Sequence, residues 1–191
     1  MRPAVFLDRD GTLVEEVPYL HDPARLVLVP GAGPALAALA AAGYALVVVT
    51  NQAGVAHGYY GEAAVASVHH RLRALLAADG VRLDGIWYCP HHPAGVVDGY
   101  ARTCRCRKPA PGMLQEAAAT LGLDLAASYL IGNHETDVEA AVAAGATPLF
   151  VASGPDRRAP AAGVAGFPSL QAAVLAVLAA GHVKEPGPPR P

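Results

Sequence analysis

Short apolar runs alternate along the chain with longer stretches rich in alanine and leucine. Residues 3–7, 44–50 (YALVVVT), 85–88, 129–132 and 148–152 are almost continuously apolar, the pattern of strands covered on both faces. Between them, residues 34–42, 62–79, 111–121, 135–144 and 169–180 predict helices. Gly43, Gly80, Gly122 and Gly145 stand at the ends of four of these stretches, as helix stops. Strands alternating with helices of ten or so residues imply βαβ units. The expected fold is therefore α/β, a three-layer Rossmann-like arrangement around a mostly parallel sheet. Residues 13–29 have no period and read as a small flap, and residues 89–108 read as a loop rich in Pro, His, Cys and Arg. Residues 155–166 read as a further loop, and residues 183–191, with four prolines, as a disordered tail. One domain is expected over residues 1–182.

The polar residues gather where the apolar runs end. In an open parallel sheet, ligands sit beyond the carboxyl ends of the strands. Asp8 and Asp10, Thr50 and Asn51, and Asn133 and Asp137 all fall just after predicted strands, and Lys108 approaches from a loop that enters a helix. Two carboxylates two residues apart repel unless a positive charge lies between them, and a hard dication such as Mg²⁺ resolves that conflict. One of the pair can also act as a nucleophile that forms an aspartyl-phosphate. Phosphoryl transfer asks mainly for positioning and charge neutralisation. Asp8 would attack phosphorus in line, and Asp10 would serve as general acid, then base. Thr50 and Asn51 would bond phosphate oxygens, and Lys108 would pair with the phosphate. Mg²⁺ would sit between Asp8, the Asp10 carbonyl and a group after the fourth strand, with Asp137 as a further ligand. Taken singly, each part also has a plain reading: a polar turn, a solvated lysine, acidic residues at a helix start. Their order along one chain favours the chemical one.

Composition narrows the class. Hydrophobic residues make up 53% of the 191, enough for a sizeable core, and the net charge of −2 gives no footprint for nucleic acid. The longest apolar stretch, residues 35–49, is shorter than the ~18 residues of a membrane span. A soluble, cytoplasmic protein without membrane or nucleic-acid partners is expected, and a monomer. The three cysteines lie close together. Cys89-Pro90-His91, twelve residues, then Cys104-Arg105-Cys106 gives three thiolates and one imidazole, a full tetrahedral set for a structural Zn²⁺. Closing that loop would fix Arg107 and Lys108, which follow the last ligand directly. His69 and His70 read as part of a solvated helix face, and Trp87 as core.

The segments DRDGT, VVVTNQAG, CRKPAPGM and IGN-x-x-x-D together resemble the haloacid-dehalogenase (HAD) superfamily of phosphatases. Within it, the chain is most similar to the D-glycero-D-manno-heptose 1,7-bisphosphate phosphatases, with histidinol-phosphate phosphatases as relatives, and the similarity runs from Val5 to about Gly154. The resemblance implies a HAD-type fold, Asp8 as nucleophile and Asp10 as acid/base. It implies that Thr50, Arg107 and Lys108 stabilise phosphate. It further implies substrate contacts from Glu16 and Tyr19 in the flap and from Thr50, Asn51, Gln52 and Ala53. Asn133 stands where the superfamily carries a metal-binding aspartate, and His134 where the heptose enzymes carry lysine. The activity implied is Mg²⁺-dependent removal of the C7 phosphate of a small phosphorylated sugar. The alternatives are histidinol-phosphate hydrolysis and a catalytically weakened sugar-phosphate-binding homologue.

Overall fold

The computed structural model describes residues 1–152 and 163–181. Six strands, β1 (Ala4–Leu7), β2 (Ala45–Asn51), β3 (Gly85–Cys89), β4 (Tyr129–Gly132), β5 (Thr147–Val151) and β6 (Ala165–Phe167), form one sheet in the order β3-β2-β1-β4-β5-β6. Every pairing is parallel. The helices that join them are α1 (Ala32–Ala41), α2 (Glu62–Ala78), α3 (Gly112–Leu121), α4 (Glu135–Ala144) and α5 (Leu170–Gly181).

The central strands, β1 throughout and β2 as far as Val49, are apolar because both of their faces are covered. Successive side chains point to opposite faces of a strand. Val5 and Leu7 of β1 join Leu46 and Val48 of β2 in a core against Leu36 of α1, Leu72 of α2 and Val177 of α5. Ala4 and Phe6, with Val47 and Val49, face Met113 and Leu114 of α3 and Ala140 of α4. Each large side chain so buried contributes roughly 1.5–3 kcal/mol, and three layers result. Gly122 and Gly145 cap α3 and α4 in the left-handed conformation, as their positions predict.

Residues 155–166 differ in part from the loop expected there. Ala165–Phe167 pairs with β5 as a short edge strand. Of its three residues, AGF, only Phe167 favours a strand, and the backbone ladder with β5 decides the outcome. Residues 153–162 and the tail at 182–191 lie outside the described residues. The flap is anchored rather than free: Leu13, Val14, Leu20 and Leu26 are buried in the core beneath α1 and α2. No helix among the described residues is long and apolar enough to cross a membrane.

The strand order reverses between β1 and β4, which is where an open α/β sheet leaves a crevice. Asp8 leaves the end of β1 with its N–H bonded to the Ile131 carbonyl at 2.9 Å.

Candidate active site

One cavity of about 350 Å³ opens at that reversal. Asp8 and Asp10 reach it from the end of β1, Thr50 and Asn51 from β2, Arg107 and Lys108 from the loop before α3, and His134, Thr136 and Asp137 from the start of α4. Larger hollows, of about 610 Å³ beside α2 and about 540 Å³ at the other end of the sheet, are lined mainly by apolar side chains and bring no such set of charges together.

Lys108 is the hub of the floor. It is buried, and its Nζ lies 2.7 Å from Asp8 Oδ1, 2.5 Å from Asp137 Oδ1 and 2.8 Å from the Val49 carbonyl. One cation between two carboxylates is held charged, and both acids push its pKa up against the desolvation that opposes them. Burial raises the Asp8 carboxyl to about 7; Lys108 opposes that shift, while Asp137 and Asp10 add to it. The lysine is delivered by Asn51, whose amide donates to the Lys108 carbonyl at 3.0 Å and accepts from the Lys108 N–H at 3.1 Å. Asp137 is spoken for on both oxygens. Oδ1 meets Lys108, and Oδ2 accepts the His134 N–H at 2.9 Å, capping the first turn of α4.

Asp10 has a different partner. Arg9, fully buried, donates Nη2 to Asp10 Oδ2 at 2.9 Å and Nε to Oδ1 at 3.1 Å, and the Gln52 amide donates to Oδ2 at 3.0 Å. Gly11 follows at φ +74°, where a Cβ would fall 2.1 Å from the Asn133 amide nitrogen, so only glycine fits this turn.

The cysteine loop begins one strand away. Cys89, at the end of β3, pairs in register with Asn51. The donor atoms of Cys89, His91, Cys104 and Cys106 all lie within 4.8 Å of one another. The sulfurs are 3.3–3.5 Å apart, and His91 Nδ1 is 3.6 Å from Cys89 Sγ and 3.4 Å from Cys106 Sγ. A tetrahedron with Zn–S bonds of ~2.3 Å has edges of ~3.8 Å, so the set suits a Zn²⁺ ion after a small expansion.

Comparison with known proteins matches this geometry. A HAD-hydrolase-like family model matches residues 105–178. The D-glycero-beta-D-manno-heptose-1,7-bisphosphate 7-phosphatases of Yersinia pestis and of Escherichia coli (strain K12) are each 46% identical over 142 residues. That is 74% of this chain and 76% and 74% of theirs. The D,D-heptose 1,7-bisphosphate phosphatase of B. bronchiseptica, solved with magnesium and phosphate, superposes with a TM-score of 0.81 at 32% identity, over 93% of this chain and 99% of that one. The chain belongs to the heptose-bisphosphate phosphatase family of HAD-like hydrolases.

In this HAD phosphatase, the cavity gathers Asp8, Asp10, Thr50, Asn51, Arg107, Lys108 and His134 as expected from the sequence, and leaves Glu16, Tyr19, Gln52, Ala53 and Asn133 off its wall. Gln52 is buried, and its amide is committed to Arg9, Asp10, Thr50 and Tyr60. Asn133 is buried against Gly11, and Glu16 lies beside the same glycine. Tyr19, half exposed at φ 51°, stands edge-on to Tyr59 with ring centroids 4.6 Å apart. Asp137, expected as a further metal ligand, lines the cavity and meets Lys108 through Oδ1. His69 is not on a solvated face: it is buried, with Nε2 3.2 Å from Arg9 Nη1. Arg9, His69, Tyr60 and Thr136 were not singled out by the sequence. A signal existed for His69, which falls on the apolar stripe of α2 with Val65, Val68, Leu72 and Leu76.

Proposed function

We propose that this phosphatase hydrolyses the C7 phosphate of D-glycero-D-manno-heptose 1,7-bisphosphate through an aspartyl-phosphate on Asp8. The observation that carries the reading is the buried Asp8–Lys108 contact at 2.7 Å in a cavity that Asp10 shares. Lys108 holds Oδ1 of Asp8, which leaves Oδ2 to attack phosphorus. As that bond forms, the bond from phosphorus to the C7 oxygen breaks, and Asp10 gives its proton to the departing alkoxide. Asp10, now a carboxylate, takes a proton from water. The water oxygen attacks phosphorus, the bond to Asp8 breaks, and inorganic phosphate leaves with Asp8 restored. Thr50 and Lys108 neutralise and orient the phosphate oxygens. Arg107 and His134, which also line the cavity, would contact the rest of the sugar phosphate.

The residues at the crevice fit Mg²⁺. Asp8 is a buried hard oxygen donor that shares the cavity with Asp10 and Asp137, and the Asp10 carbonyl, Asn133 beside Gly11 and Asp137 would be the further candidate ligands. When bound there, Mg²⁺ would neutralise charge on the transferring phosphate. Zn²⁺ in the loop would be structural: Cys89, His91, Cys104 and Cys106 fill all four positions and leave none for substrate.

The test is kcat/KM for heptose 1,7-bisphosphate, both anomers, beside histidinol phosphate, with and without Mg²⁺. The heptose substrate should win by a wide margin and need the metal. Preference for histidinol phosphate, or full activity without a divalent ion, contradicts the proposal.

A further inference from the structure

Arg9 carries a full charge, and none of its side chain reaches solvent. Its contacts account for each edge of the guanidinium. Nε and Nη2 bind Asp10, Nη2 also donates to Gln52 Oε1 at 3.0 Å, and Nη1 meets His69 Nε2 at 3.2 Å. A guanidinium has no lone pair to offer, so His69 Nε2 is the acceptor, and the neutral ring carries its proton on Nδ1. Burial, with Arg9 and then Arg73, pulls this imidazole down to about 3. Gln52 is fixed in the same way. Its Oε1 accepts from Arg9 and from the Tyr60 hydroxyl at 3.0 Å, while its Nε2 donates to Asp10 Oδ2 at 3.0 Å and Thr50 Oγ1 at 2.9 Å.

Burying a guanidinium costs several kcal/mol, and an apolar side chain would fill the same space at no such penalty. The expense has one outlet. Arg9 and Gln52 are buried and Tyr60 is half-buried, whereas the Asp10 carboxylate they converge on keeps 27% of its side chain exposed and lines the cavity. A planar fork across both carboxylate oxygens fixes the orientation of the group, which a lysine's point charge would not.

We infer that Arg9, backed by His69, Gln52 and Tyr60, is a positioning residue that holds the Asp10 carboxylate in one orientation for proton transfer. The inference rests on the acid–base role proposed for Asp10 above. The same chain of bonds reaches Thr50, so the group that moves the proton and a group that grips phosphate are set by one framework.

The experiment measures kcat, KM and Tm with an aryl phosphate and Mg²⁺ for His69→Leu, His69→Gln, Tyr60→Phe, Asp10→Asn and the His69→Leu/Asp10→Asn pair. Loss of the acceptor behind Arg9 should lower kcat about tenfold or more while KM stays within about twofold, since misplacement by an ångström can cost about 10². His69→Gln, which keeps an acceptor, should recover most of the rate. On the Asp10→Asn background, His69→Leu should change kcat by less than about twofold, because both act through one group. Equal slowing on both backgrounds, or unchanged kcat in both His69→Leu and Tyr60→Phe, overturns the inference. Wild-type kcat in Asp10→Asn overturns instead the proposed role of Asp10. Should His69→Leu fail to fold, Tyr60→Phe takes its place in the double-variant test.

Discussion

The crevice and the cysteine loop adjoin where Asn51 pairs with Cys89, yet they are held together on opposite principles. In the crevice each acid has a cation supplied by the chain: Lys108 for Asp8 and Asp137, Arg9 for Asp10. The loop gathers three thiols and an imidazole that carry no complementary charge for one another. Burial pushes the Cys89 thiol well above the ordinary thiol range. Such a group becomes a thiolate only beside a cation. The crevice is therefore shaped before its ligand arrives, whereas the loop, on the zinc reading proposed above, would depend on an ion for its shape. That difference matches the two kinds of work proposed. A catalytic site gains from preorganised charge, and a structural site gains from coupling its metal to folding.

The strongest way to break this contrast is Asp8→Asn. An amide cannot form the acyl phosphate, so kcat should fall by about 10⁴ or more while Tm holds. Turnover within about tenfold of wild type would remove the nucleophile from the mechanism. The loop gives the next largest effect. The purified protein should contain about one zinc per chain, and Cys104→Ser should lose it, lower Tm by several degrees and raise KM through Arg107 and Lys108. Metal analysis that finds no zinc before any chelator is used would contradict the structural assignment.

A pH series sharpens the crevice side. The His69 pKa is depressed in the folded state, from 6.5 to about 3, so between those values the unfolded chain binds the extra proton. His69 therefore contributes stability above about pH 6.5 that is lost as pH falls toward 3, up to roughly 3 kcal/mol at pH 4.5. Thermal melts of wild type and His69→Gln, which keeps the acceptor, should lie close at pH 7 and separate as pH falls toward 4, the wild type losing more. Parallel curves would show that the ring is not held neutral against Arg9. The smallest effect lies at the joint between the regions. Asn51→Ala removes both bonds to the Lys108 peptide and should cost about 1–2 kcal/mol. KM should rise several-fold with zinc content unchanged. Loss of zinc in that variant would mean the two regions are one cooperative unit.

Much of this was legible in the chain. The strands announce themselves because both faces are covered, and the acids after β1 and β4 follow from the strand-end rule alone. The cysteine spacing needed no fold at all. What could not be read is which polar groups serve each other. Arg9 between two aspartates looks like any polar turn, and only tertiary packing closes it off from water. Gln52 and Asn51 resemble phosphate ligands in sequence, which does not show that their amides also bond Arg9, Asp10 and the Lys108 peptide. The acid of Asp137 was visible, but its contact with Lys108 was not, because nothing in the sequence says which cation a carboxylate at the third position of a helix will meet. β6 was hidden for a different reason: its pairing is carried by backbone groups that every residue shares.

The placement of β1 has a consequence for how the protein is made. β1 is synthesised before the strands on either side of it, yet it ends in the middle of the sheet. Its β4 edge stays open until Tyr129–Gly132 exists, and Asp8 waits for Lys108, 100 positions later. At about 5–20 residues per second on the ribosome, that wait lasts roughly 5 to 20 s. During it, the Asp8 carboxylate is better kept in water, ionised, than buried beside no cation. A nascent chain halted before β4 holds Asp8, Arg9 and Asp10 but has no floor to set them on. Its signature motif is complete long before its chemistry can begin.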